Sequence, residues 1–179
     1  PPRSTLSSSS AASDVYKRQA HDLHRFFLDN LPEQDFARVV HGDYGFHNTL
    51  VGPDSRIAAI VDWEISTLGD PLADLAYALM SWQPSDASLP KNPDSITAQS
   101  GFPPREYLAE RYERITNRDL SRLNFYLGFN RWKSAAIVHG VYARYMEDQK
   151  SADGVDLIKM RSDIINNLEE SERIIKSLR

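Results

Sequence analysis

The segment from 39 to 77, VVHGDYGFHNTLVGPDSRIAAIVDWEISTLGDPLADLAY, restricts the fold more than any other part of the 179-residue chain. A short apolar run leads into His41-Gly42-Asp43. Thr49 to Gly52 and Arg56 to Asp62 then flank a Pro53-Asp54-Ser55 turn, which predicts a hairpin. RIAAIVDW is almost wholly apolar until Asp62, so the pattern predicts a carboxylate on the end of a buried strand, where its charge needs a partner. Asp70 before Pro71 fits an N-cap followed by the first residue of a helix, expected to run to about Trp82. Leu72, Leu75, Ala76 and Leu79 share the apolar face of that helix, and Asp74 and Tyr77 lie one turn apart on it.

Outside this segment the periodicity is helical. Leu23, Phe26, Phe27 and Leu31 predict a helix over 20–31 ended by Pro32, and further helices are expected over 104–116, 119–147 and from about Val155 onward. The 119–147 stripe runs through Leu120, Leu123, Leu127, Arg131, Ser134, Val138, Val141 and Tyr145, so a basic residue sits inside an apolar face. Residues 83–103 are rich in Pro, Ser, Asp and Asn and read as a surface loop, either a binding or lid element or a connector. The expected fold class is α+β, mostly helical, with a small hairpin sheet carrying the residues with chemistry. The first nineteen residues, PPRSTLSSSSAASDVYKRQ, are Ser-rich and poor in large apolar side chains. They are expected to be a disordered tail or a non-native junction, leaving 20–179 as the folded part.

Composition narrows the class of function. A net charge of -4 and no run of Lys and Arg disfavour nucleic acid and anionic membranes as partners. Cysteine is absent, which removes thiolate nucleophiles and Cys-ligated zinc, and no apolar run approaches the ~18 residues that span a bilayer. The expected location is cytoplasmic.

The chemistry lies in one spacing. Asp43 and Asn48 follow H-x-D-x-x-x-x-N, and Asp62 closes the apolar run that comes after. Transfer of a phosphoryl group to a hydroxyl needs a carboxylate to orient the hydroxyl and receive its proton, together with hard oxygen ligands for Mg²⁺. Asp43 suits the first task; Asn48 and Asp62 suit the second, with Glu64 as an assistant. D-x-x-x-x-N alone is common in turns, so the signal is the whole set, including His41, the Asp62-Trp63-Glu64 strand end and the Gly69-Asp70-Pro71 helix start. His41 is expected to organise the loop rather than react, and His47 to be a neighbour of Asn48 rather than a ligand. Asp74 is expected to make a structural hydrogen bond to the loop. A metal-dependent hydrolase using His41, Asp43 and His47 is a weaker reading, because such sites want more His or carboxylate ligands than five scattered histidines supply.

HGDYGFHN, IVDWE and LGDPLADLAY resemble the motifs of the aminoglycoside phosphotransferase and choline kinase-like family, and most closely the phosphotransferase domain found in acyl-CoA dehydrogenase family member 10 and 11-type proteins. The resemblance extends from about Ala20 to the C-terminus, through GFPPREYLAERY and FNRWKSAAIVHGVYARY. It implies a protein-kinase-like fold with Asp43 as catalytic base, Asn48 and Asp62 as Mg²⁺ ligands, and ATP or another nucleoside triphosphate as donor. It leaves the hydroxyl acceptor open, and it leaves open an acyl-CoA dehydrogenase domain or partner in the parent protein. No Gly-rich loop precedes His41, and Lys17 is the lysine upstream of it. The chain is therefore expected to be a C-terminal catalytic lobe lacking its nucleotide-covering lobe and inactive alone, the alternative being a kinase-like binding module without catalysis. Arg131, with Trp132 beside it, is expected either to face an anionic acceptor such as a hydroxyacyl thioester or to pair with Asp74 or Glu64.

Overall fold

The computed structural model describes residues 5–33, 37–86, 95–147 and 149–178. The chain divides into two compact units, one of Pro1–Leu31 with Gly128–Arg179 and the other of Pro32–Leu127.

The first unit is helical. It contains α1 (Thr5–Asp29), most of α4 (Leu123–Met146) and α5 (Leu157–Lys176). Tyr16, Leu23 and Phe27 of α1 are buried with Ala135 of α4 and Ile164, Leu168, Ile174 and Ile175 of α5. The spacing of three and four along α5 is what places its stripe on one face. Gly128 allows the close approach at the centre. A Cβ there would meet Ile175 Cγ2 at 3.0 Å and Phe27 Cζ at 3.5 Å, and the buried Ser171 hydroxyl donates to the Gly128 carbonyl at 2.8 Å.

The helix expected to start near Ala20 begins at Thr5 instead. No Gly or Pro interrupts 5–29, so the helix has no breaker in its path. Tyr16 continues the stripe of Leu23 and Phe27 backwards and is 5% exposed, and Gln19 donates to Glu172 Oε2 at 2.7 Å. The expectation that nothing before Ala20 packs is corrected at these two residues.

The second unit carries the strands. β1 (Arg38–Val40) pairs antiparallel with β4 (Thr67–Gly69), and β2 (Thr49–Val51) pairs antiparallel with β3 (Ile57–Ile60), with an irregularity between Leu50 and Val51. α2 (Pro71–Leu79) packs on β1 and on α3 (Arg105–Thr116). The Asp70 carboxylate caps α2 by accepting from Leu72 N at 2.9 Å, Pro71 takes the first position, and the Tyr126 hydroxyl donates to the other Asp70 oxygen at 2.9 Å. Leu72, Ala76 and Leu79 form the buried face, as their spacing predicts.

The strand expected to be buried is not. Ile57 is 57% exposed, and Leu50 and Val51 on the paired strand are exposed as well. A two-stranded hairpin has two faces and no third strand, and among the described residues nothing covers these side chains. Part of the loop expected over 83–103, residues 87–94, and Phe36 of the run before His41 lie outside the described residues. The part that follows is ordered by Thr97, whose hydroxyl donates to the Ser81 carbonyl at 2.6 Å.

Candidate active site

The HGD loop is held from beneath by α2. Asp74 Oδ2 accepts the backbone N–H of His41 at 2.5 Å and Oδ1 accepts that of Gly42 at 2.8 Å, so one carboxylate satisfies two consecutive amides. Gly42 needs its freedom here. Its φ is +85°, and a Cβ would meet both the side chain and the carbonyl of Ile65 at 3.2 Å.

His41 is 2% exposed and has both ring nitrogens engaged. Nε2 donates to the Val61 carbonyl at 2.8 Å, and Nδ1 accepts the Asp43 N–H at 3.3 Å, an arrangement that fits the neutral ring. Its centroid lies 4.7 Å from that of Trp63. With no nitrogen left over, His41 organises the loop and cannot ligate a hydrolytic metal, which removes the main support of the hydrolase reading.

Asp43 follows directly and is partly exposed. Asn48 is buried; its amide nitrogen donates to the Asp43 backbone carbonyl at 2.9 Å and to Asp43 Oδ2 at 3.2 Å. His47 Nε2 lies 3.2 Å from the same Oδ2, with its side chain exposed. Tyr77 influences the titration of the same carboxyl from α2. Burial alone would push the Asp43 carboxyl up. The hydrogen bonds from Tyr77, His47 and Asn48 and the charge of His47 outweigh it and hold the group below the usual carboxylate range. The Tyr77 phenol moves the other way, pushed up to about 12 by burial, by the bond to Asp43 and by the charge of Asp43. Tyr77 was not singled out as a site residue by the motif; the available signal was its position one turn from Asp74.

Asp62 reaches this region through its neighbour. The Val61 N–H donates to the Asn48 carbonyl at 2.9 Å while the Val61 carbonyl accepts from His41, so the residue before Asp62 is clamped to the loop at both ends. Asp62 itself is exposed with φ +67°, a left-handed conformation that Asp tolerates, and Glu64 is exposed in the turn that follows. Asn48 gives its N–H groups to Asp43, so its amide oxygen takes no part in these bonds. Among the described residues no group of three or more His, Cys, Asp or Glu is placed to hold a metal ion. A site of one amide and one carboxylate fits Mg²⁺, which keeps waters and phosphate oxygens in its remaining positions, better than it fits Zn²⁺.

Arg131 and Trp132 have other work in the helical unit. Arg131 Nη1 donates to Asn167 Oδ1 at 3.3 Å, and the Trp132 indole donates to the Ala20 carbonyl at 2.9 Å and stacks on His24 with centroids 5.3 Å apart. Trp132 is a packing residue, and Arg131 bonds an amide on α5 within the same unit. A feature that no motif announces lies beside the loop. A mostly apolar cavity of about 340 Å³ opens next to Tyr44 and Phe46, walled by Leu79, Trp82 and Leu108, with Arg111 also lining it. Phe46, Trp82 and Phe102 form an aromatic cluster there, with centroids 5.5 to 6.2 Å apart.

Comparison with known proteins places these features in context. Residues 6–123 match the model of the phosphotransferase enzyme family. The chain is 35% identical over 136 residues to human acyl-CoA dehydrogenase family member 11, covering 73% of this chain and 17% of that protein. It is 34% identical over 127 residues to mouse acyl-CoA dehydrogenase family member 10, covering 69% of this chain and 12% of that protein. The chain therefore spans less than a fifth of the length of these relatives. A crystal structure from Ralstonia eutropha, assigned as an aminoglycoside phosphotransferase, superposes with a TM-score of 0.65 at 24% identity, over 90% of this chain and 55% of that one. That likeness shows the fold, a kinase-like phosphotransferase fold of mostly helical α+β type.

Proposed function

The chain belongs to the phosphotransferase enzyme family, and from that premise we propose that it carries the catalytic and metal-binding residues of an ATP-dependent kinase acting on a small-molecule hydroxyl. One observation supports the reading above others: Asn48 and Asp43 are hydrogen-bonded to each other on one loop, and the Val61 clamp brings the Asp62 end of the hairpin to that loop.

In this reading the acceptor hydroxyl lies against the Asp43 carboxylate. The hydroxyl oxygen forms a bond to the terminal phosphorus of the nucleotide, the bond from that phosphorus to the bridging oxygen breaks, and the hydroxyl proton passes to Asp43. A carboxylate held below its usual range is a weak base, which suits a loose transition state in which the proton leaves late. Asp43 therefore acts mainly by orienting the hydroxyl. Asn48 and Asp62 would hold Mg²⁺, with Glu64 nearby, and that ion would neutralise charge on the phosphates.

The acceptor proposed is a hydroxyacyl compound with an anionic group. The relatives named acyl-CoA dehydrogenases suggest an acyl-CoA dehydrogenase domain or partner in the whole protein, and the apolar cavity beside Tyr44 and Phe46 suits an acyl chain. Arg111, which lines that cavity, would be a residue to meet the anion. The reading expects little turnover from 20–179 alone, since no Gly-rich loop lies upstream of His41 in this sequence.

The test is transfer of labelled γ-phosphate from ATP by the full-length protein to hydroxyacyl-CoA thioesters, choline and kanamycin in turn. Phosphorylation of a hydroxyacyl thioester that drops at least about a hundredfold in Asp43→Asn is expected. Equal turnover by wild type and Asp43→Asn would overturn the assignment.

A further inference from the structure

Resting on the hydroxyacyl reading of the acceptor, we propose that Trp82, backed by Phe102, is the wall that limits how long an acyl chain the acceptor carries. These two rings then choose among hydroxyacyl compounds, a task that none of the residues around Asp43 performs.

The cavity begins at the catalytic loop. Tyr44 and Gly45, which follow Asp43 directly, line one part of it, and Arg111 and Ile115 of α3 line another. All of its lining belongs to the 32–127 unit. An acceptor whose hydroxyl meets Asp43 therefore has an apolar space of about 340 Å³ within reach for the rest of its chain. Leu79 in the lining is 2% exposed, whereas Ile57 and Ile115 are 57% and 67% exposed. Open apolar side chains around a cavity next to reacting groups are a surface for an apolar ligand to cover. Arg111 is exposed as well and makes no salt bridge among the described residues, which leaves its charge for an anionic group at the rim.

Trp82 is held on both sides. Its own N–H donates to the Leu79 carbonyl at 3.1 Å as α2 ends. The Ser81 carbonyl before it accepts from the Ser95 hydroxyl at 2.7 Å and from the hydroxyl of buried Thr97 at 2.6 Å. The Gln83 carbonyl after it accepts the Arg105 N–H at 2.9 Å. Both neighbours of Trp82 are thus tied to the segment 95–105, which gives the end of the loop expected over 83–103 a task. The indole is fixed too, with the rings of Phe46 and Phe102 each centred 5.5 Å from it. Phe102 lies outside the cavity lining and stands 6.2 Å from Phe46, so it backs both lining rings at once. A wall held in this way does not swing aside for an extra methylene, and overpacking it strains its supports.

The test measures kcat/KM for phosphoryl transfer by the full-length protein to a series of saturated hydroxyacyl-CoA thioesters of about four to sixteen carbons. For wild type, each added methylene is expected to raise kcat/KM about fourfold up to one length, with a fall of about tenfold or more beyond it. Trp82→Ala is expected to move that limit to longer chains and to make the profiles cross. Short chains lose severalfold through lost contact, and the chain just past the wild-type limit gains about tenfold. Phe102→Ala keeps the lining and removes its backing, so the limit is expected to move the same way by less. Should Trp82→Ala not fold, Trp82→Phe places a smaller ring at the same point and is expected to move the limit part of the way. A wild-type profile without a limit, a limit unmoved in the variants, or a loss by the same factor at every length overturns the role of the wall and leaves the hydroxyacyl reading standing. No transfer by wild type to any member of the series overturns that reading and this role with it.

Discussion

His41 donates from Nε2 to the carbonyl of Val61 at 2.8 Å, and this bond joins the loop that carries Asp43 to the strand end that carries Asp62. The ring is 2% exposed, so it cannot turn to water instead. His41→Phe preserves an aromatic plane beside Trp63 but strands the Val61 carbonyl and the Asp43 amide. Loss of about 1–3 kcal/mol is expected, read as a lower urea midpoint with unchanged slope. An unchanged midpoint would mean that the bond is dispensable and that the hairpin is held to the loop in another way.

Asp74 makes the stronger link, because both of its bonds are charge-assisted. Asp74→Ala leaves two loop amides without an acceptor, for an expected cost of about 2–5 kcal/mol. Asp74→Asn helps little: one of its two terminal atoms becomes an NH₂ that faces a backbone N–H, so donor meets donor. The two variants are therefore expected to melt close together and well below wild type. An Asn variant as stable as wild type would show that a single acceptor suffices.

How far these contacts are legible in the sequence depends on the distance over which each signal acts. The Asp70 cap, the Pro71 start and the turn around Pro53 to Ser55 are local, and each sits where its residue type places it. The Asp74 bond was legible because a half-buried acid facing the catalytic loop from a helix has few other partners. The exposure of Ile57 was not legible. An apolar strand reads the same whether its outer face is covered or open, since the cover is a tertiary fact. The influence of Tyr77 on Asp43 has the same character, as do the Asn167 partner of Arg131 and the Ala20 partner of Trp132. Each joins residues distant in the chain, and periodicity assigns a face without naming what lies opposite. The early start of α1 is illegible for another reason: a Ser-rich composition argues against a packed helix, while the absence of a Gly or Pro breaker only permits one.

Gly42 is a point at which the backbone itself can be tested. Gly42→Ala asks an L-residue to hold φ +85° and brings its Cβ to 3.2 Å from Ile65, whose carbonyl cannot rotate away. A cost of about 1–3 kcal/mol is expected, together with weaker protection of the His41 and Gly42 amides in hydrogen exchange. Full protection in a folded Gly42→Ala protein would contradict the strain argument.

Asp62 separates site from scaffold. It is exposed, so Asp62→Asn removes a charge while keeping a residue that tolerates φ +67°, and the melting temperature is expected to stay within about 2 °C of wild type. Phosphoryl transfer in the full-length protein is expected to fall about a hundredfold, with partial recovery at high Mg²⁺. Retained activity at ordinary Mg²⁺ would remove Asp62 from the ligand set.

Asp43 and Tyr77 each contribute one edge to the pH dependence of stability. The Asp43 carboxyl is lowered from 3.8 in the folded protein, so its contribution is present above the unfolded value and is lost as pH falls through the folded one. The Tyr77 phenol is raised from 10.0 to about 12, so its contribution is complete below pH 10 and is lost as pH rises from 10 towards 12, where the unfolded chain releases the proton first. Tyr77→Phe cuts both edges at once: the phenol no longer titrates, and the Asp43 carboxyl loses the largest influence that lowers it. The stability difference between wild type and Tyr77→Phe is therefore expected to be largest on the plateau between about pH 5 and 9. It should shrink below pH 4 and above pH 10, in urea midpoints taken at each pH. A difference that stayed constant from pH 3 to 11 would show that Tyr77 contributes packing alone.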